Sequence, residues 1–92
     1  MALASDTLQI LLVEDNPGDA RLLWEALTEA MPTQFQLTHV QRLADALERL
    51  GRETYNVILL DLGLPDSHGL DTLVRARAQA AETPIVVLTG FG

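Results

Sequence analysis

The 92-residue sequence contains no cysteine, and all six of its basic residues are arginine, so lysine is absent too. Without cysteine there is no disulfide, no thiolate metal site and no cysteine nucleophile, which fits a reducing compartment. No stretch approaches the roughly 18 consecutive apolar residues of a membrane span. The opening MALASDTLQ has no basic region leading into an apolar core, so no secretory signal is expected. Neither G-x-x-x-x-G-K-[ST] nor G-x-G-x-x-G occurs, which leaves nucleotide binding without motif support. A soluble, cytoplasmic chain is the expectation.

What is present is acid and apolar side chain. Thirteen acids against six arginines give a net charge of −7, so nucleic acid and anionic membranes are not expected partners. A hydrophobic fraction of 48% supports a packed core, and the length suits one small domain spanning residues 1–92. No repeat, low-complexity tract or linker divides it.

The patterning alternates between strand and helix. Leu8 to Val13 is an apolar run of strand length, followed by Pro17 near a helix start; Ala20, Leu23, Leu27 and Ala30 then recur at helical spacing until Pro32. Phe35 to Val40 alternates as a half-buried strand, Leu43 to Leu50 has a helical stripe, and Gly51 is its expected C-cap. Asn56 to Leu60 is a third strand, Gly69 to Ala81 a third helix with Leu70, Leu73 and Val74 inward, and Ile85 to Leu88 a fourth strand. In the third helix Asp71 and Arg75 can pair at i,i+4. Such β-α-β-α-β-α-β order implies parallel strands with right-handed crossovers, and near-continuous apolar strands imply helices on both faces. The expected fold is α/β, a doubly wound open sheet whose ligands sit at the carboxyl ends of the strands.

At that edge the first strand delivers Glu14 and Asp15, the third Asp61, and the fourth Thr89 and Gly90. Taken singly, each has an ordinary role: acids cap helices and make turns, and threonine ends strands. Together they place three carboxylates in one spot with no lysine to neutralise them. A divalent cation bound by oxygen, Mg²⁺ or Mn²⁺, is the economical answer. A threonine hydroxyl and a glycine amide suit phosphate oxygens, so phosphoryl transfer to a carboxylate is indicated, with Asp61 as the nucleophile. Glu14 and Asp15 would hold the metal, and Gly63 could turn its carbonyl toward it because glycine tolerates unusual backbone angles. His39, His68 and Trp24 read as structural or surface residues.

The blocks LLVEDNPGDARLL, VILLDLGLPDSHGLDTL and PIVVLTG, in this order, resemble the receiver domain of two-component response regulators. The resemblance implies a flavodoxin-like receiver fold with strand order 2-1-3-4. It implies that Asp61 accepts a phosphoryl group from a histidine kinase or phosphotransfer protein, as a phosphoacceptor rather than a true enzyme. Glu14, Asp15, Asp61 and the carbonyl of Gly63 become the metal ligands, Thr89 the switch hydroxyl, and Leu62 and Gly90 further phosphate contacts. It also implies that the last α-β-α elements are missing, together with the lysine that ends the family's fifth strand. An exposed fourth strand and an uncovered sheet face should then favour a homodimer or higher oligomer. The rival reading is a phosphorylation-impaired scaffold used for dimerisation or interaction. A metal-dependent phosphatase with an aspartyl intermediate is weaker, because the second aspartate such enzymes use is here Gly63.

Overall fold

The four apolar runs assemble into one sheet. The computed structural model describes residues 7–31 and 34–88. Their elements are β1 (Leu8–Val13), α1 (Pro17–Ala30), β2 (Phe35–Val40), α2 (Leu43–Leu50), β3 (Val57–Asp61), β4 (Gly63–Leu64), β5 (Ser67–His68), α3 (Leu70–Gln79) and β6 (Ile85–Leu88). The main sheet is parallel throughout, with β2, β1, β3 and β6 side by side in that order. This is the 2-1-3-4 order expected of the four sequence-predicted strands. β4 and β5 form a small antiparallel hairpin that the sequence pattern did not reveal.

Successive side chains of β1 point to opposite faces, and both faces are covered. Ile10 and Leu12 lie on the α1 side with Ala20 and Leu59, while Leu23 and Leu27 pack against them. Leu11 and Val13 lie on the other side with Leu43, Ala46, Ile58, Leu60 and Ala76, beneath α2 and α3. Doubly wound packing thus follows from central strands whose apolar side chains, Ile10 to Val13 and Ile58 to Leu60, point to both faces. Each fully buried leucine adds about 1.5–3 kcal/mol relative to exposure.

The helix starts have distinct causes. Asn16 caps α1: its Oδ1 accepts the Gly18 and Asp19 amides at 2.8 and 3.1 Å, with Pro17 in the first helical position. Gly51 is the C-cap of α2 as expected, but with φ −76°, so its glycine freedom is not used. Asn56 lies just outside β3 rather than opening it, and it bridges to β1 by accepting the Gln9 amide at 2.7 Å and donating its own amide to the Gln9 carbonyl at 2.8 Å.

One face differs from its expectation. Leu70 and Val74 of α3 point outward, 72% and 63% exposed, and the buried residues are Thr72 and Ala76. A hydroxyl pair explains the rotation. Thr72 Oγ1 and Ser67 Oγ lie 2.6 Å apart in the interior, so a polar side chain can be buried at no loss. The Asp71–Arg75 pair forms at 3.9 Å on the exposed surface.

Candidate functional site

The register of the sheet sets the site. Val13 pairs with Leu60, so Glu14, the residue after β1, stands beside Asp61, the last residue of β3. Asp61 belongs to the strand because it pairs with Leu88 of β6. One carboxylate oxygen each from Glu14, Asp15 and Asp61 lies within 4.8 Å of the others. The expected convergence of these three residues is therefore observed. Thr89 and Gly90 lie outside the described residues.

Glu14 is fixed through its backbone. Its amide donates to the Val40 carbonyl at 3.0 Å, and its own carbonyl lies 2.7 Å from His39 Nε2. A carbonyl only accepts, so His39 carries the proton on Nε2 and acts as a donor beneath the site. His39 is thus structural, as expected, although it sits at the surface of an edge strand. His68 is exposed on β5. Trp24 is exposed; it lines a cavity of about 550 Å³ with Met31 and Phe35, and the Arg21 guanidinium lies 5.8 Å from its ring.

Electrostatics set Glu14 apart from an ordinary surface carboxylate. Glu14 is only 4% exposed, and its pKa is pushed up to about 7. Burial is the main cause, with repulsion from Asp61 and contacts to Asp61 and Asp15 adding to it, against a lowering hydrogen bond from the Asn16 amide. The ion pairs among the described residues are Arg21–Glu25, Arg49–Glu53 and Arg75–Asp71, none of which touches the trio. Oxygen donors in this number, with uncompensated negative charge, suit a hard divalent cation.

Asp61 is oriented by the turn that follows it. The Gly63 amide donates to Asp61 Oδ1 at 2.9 Å, and the Gly69 amide donates to the Leu62 carbonyl at 2.8 Å. Gly63 does not use the backbone freedom expected of it. Among the described residues only Gly69, at φ 65°, has positive φ, and a Cβ on Gly63 would meet Asp61 Oδ1 at an ordinary 3.8 Å. The residue that sequence reasoning missed is Asp66, whose carboxylate binds the start of α2 from the hairpin turn. A lone acid after Pro65 carried no signal, since its partners lie more than twenty residues earlier.

Residues 10–92 match the family described as response regulator receiver domain. The swarming motility regulation protein RssB of Serratia marcescens is 40% identical over 82 residues, covering 89% of this chain but 36% of RssB. The chain therefore spans about a third of that relative. Among solved structures, the receiver domain of sensor histidine kinase PA1611 from Pseudomonas aeruginosa superposes with a TM-score of 0.78 at 30% identity, over 92% of this chain and 69% of that one. That structure is described with a magnesium ion coordinated in the active site cleft. A chain from the complex of histidine kinase ThkA with response regulator protein TrrA matches at TM-score 0.77 and 26% identity, over 92% and 71% of the two chains. Fold, register and sequence agree, and the chain belongs to the response regulator receiver domain family.

Proposed function

We propose that this chain is a phosphoacceptor, taking a phosphoryl group from a histidine kinase or phosphotransfer protein onto Asp61 in the presence of Mg²⁺ or Mn²⁺. The observation that carries the reading is the gathering of Glu14, Asp15 and Asp61 at one strand edge, with one oxygen from each within 4.8 Å. The all-oxygen donor set and the raised Glu14 pKa fit a hard cation, which would be held by these three carboxylates and the Gly63 carbonyl. When bound, such a cation neutralises charge on the phosphoryl oxygens.

The protein's own part is to hold the acceptor. The Gly63 amide engages Asp61 Oδ1, which leaves Oδ2 as the attacking oxygen. That oxygen forms a P–O bond as the P–N bond of a phosphohistidine donor breaks, and the electron pair leaves with the imidazole nitrogen. Thr89, with the backbone at Leu62 and Gly90, would meet the phosphoryl oxygens. No lysine exists in the 92 residues to share this load. The acyl phosphate adds about −1.5 to −2 charge, which a bound cation would offset.

Labelling with a small phosphodonor tests the reading. Wild type should incorporate phosphate in a Mg²⁺-dependent manner and Asp61→Asn should not; equal labelling of both would exclude Asp61. A partner kinase is supported by a matched structure being a complex of histidine kinase ThkA with TrrA.

A second reading draws on the far edge of the sheet. β6 is the outer strand among the described residues, and its Val86 is 49% exposed. An apolar outer strand favours pairing with a second copy of the chain. Light scattering at rising concentration should show a dimer or higher oligomer, and a monomer throughout would rule this out.

A further inference from the structure

The hairpin after Asp61 is fastened by a side chain outside the carboxylate cluster. Asp66, at the turn between β4 and β5, reaches to the start of α2. Its Oδ1 accepts the Leu43 amide and its Oδ2 the Ala44 amide, both at 2.9 Å. The N-cap residue of α2 is Arg42, which makes no side-chain cap hydrogen bond. The helix's first amides are therefore satisfied by a residue from another part of the chain rather than by their neighbour. Burial alone would raise the Asp66 carboxyl, but the Ala44 and Leu43 amides, with its own amide and the Arg42 charge, outweigh it and hold its pKa below the usual value.

Two-residue strands cannot fix their own geometry. Between β3 and α3 the chain is held by the β4–β5 pairing, by Leu64 buried in the core with Leu43 and Ala46 of α2, and by four hydrogen-bonded ties: Asp66 to α2, Ser67 to Thr72, Gly69 to Leu62, and Gly63 to Asp61. Three of them close within the turn or onto the helix that follows it. Among these hydrogen-bonded ties, the one from Asp66 crosses to α2.

We propose that Asp66 is a positioning residue for the Asp61 site. By gripping the first amides of α2 it fixes the Gly63–His68 hairpin, and with it the Gly63 amide that orients Asp61 and the Gly63 carbonyl assigned to the cation. The consequence for the cation rests on the phosphoacceptor reading, whereas the tie to the hairpin does not. Outer partners of metal ligands commonly shift metal affinity about 10–100-fold when removed. Asp66 acts one step further out, so a loss of about 10-fold is expected.

The test separates a helix cap from a positioning role. Full-length wild type, Asp66→Asn, Asp66→Ala and the double variant Asp66→Ala/Arg42→Asp are compared by urea unfolding midpoint, by hydrogen exchange at the Gly63 and Gly69 amides, and by Mg²⁺ affinity. Asp66→Ala should lower the midpoint, speed exchange about 10-fold and weaken Mg²⁺ binding by a similar factor. Arg42→Asp supplies a local cap, so the double variant should regain the midpoint while exchange stays fast and Mg²⁺ binding stays weak. Asp66→Asn keeps an acceptor and should fall between, and it carries the same comparison should Asp66→Ala not fold. Recovery of all three readouts in the double variant, or unchanged exchange in the single variants, would reduce Asp66 to a helix cap and overturn the proposal. Altered exchange with no Mg²⁺ binding even in wild type would uphold the tie to the hairpin and refute the phosphoacceptor reading instead.

Discussion

The carboxyl edge of β1 and β3 and the flank formed by β6 and α3 are built on opposite terms. At the first, hydrogen bonds hold the backbone and turns around the acids: the Glu14 backbone is held by Val40 and His39, Asp61 by Gly63, and the α1 start by Asn16. At the second, Leu70, Val74 and Val86 stand at the surface, and the ion pair described there, Arg75–Asp71, is exposed. The difference shows where this chain concentrates its precision. Charge is packed tightly where hydrogen bonds fix it, and apolar surface is left open where nothing in the described structure covers it.

Substitutions should magnify that contrast. The largest effect is expected in the sheet's interior: Leu60→Ala, at a fully buried position, should cost about 2–5 kcal/mol in urea unfolding. Val86→Ala on the exposed flank should cost well under about 1 kcal/mol. Comparable losses from both would mean that the flank is covered in solution.

The next effect is electrostatic and its sign is specific. Glu14 has a folded pKa of about 7 against an ordinary 4.5, so its protonated form suits the folded state. Its contribution is fully present below about pH 4.5 and is lost as pH rises through about 7. The metal-free chain should therefore lose stability between pH 5 and 8 on this account, by up to about 3 kcal/mol from this group. Glu14→Gln should flatten that part of the profile, and Mg²⁺ should offset the loss at pH 8. A profile unchanged by Glu14→Gln would contradict the cluster's electrostatics.

Smaller changes follow. Asn16→Ala, which removes the α1 cap, should cost about 1 kcal/mol by thermal unfolding. Arg75→Ala breaks an exposed pair on the flank and should shift stability by less than about 0.5 kcal/mol. A larger loss there would show that the flank's charges are less screened than their exposure implies.

The same contrast explains what could be read in advance. Apolar runs such as Leu8 to Val13 announced strands, and their tips placed Glu14, Asp15 and Asp61 together because parallel register leaves little choice. On α3, Leu73 packs on the core as expected, but Leu70 and Val74 were misjudged because hydropathy cannot see that Thr72 is satisfied by Ser67. Gly63 was credited with a conformational role that its backbone does not use. The hairpin and Asp66 were invisible for a common reason. Two-residue strands have no period, and a cap supplied from 23 residues away leaves no local pattern. Sequence displays what repeats along the chain and conceals single contacts between distant parts.

Paramagnetic relaxation by Mn²⁺ tests the central claim, that three strand-edge acids form one cation site. Substoichiometric Mn²⁺ should broaden the amide signals of Glu14, Asp15, Asp61 and Leu62 first, leave Gln9 and Asn56 at the opposite end of the sheet sharp, and lose this selectivity in Asp61→Asn. Broadening centred on other acids, such as Glu53 or Asp71, or an identical pattern in Asp61→Asn, would contradict it.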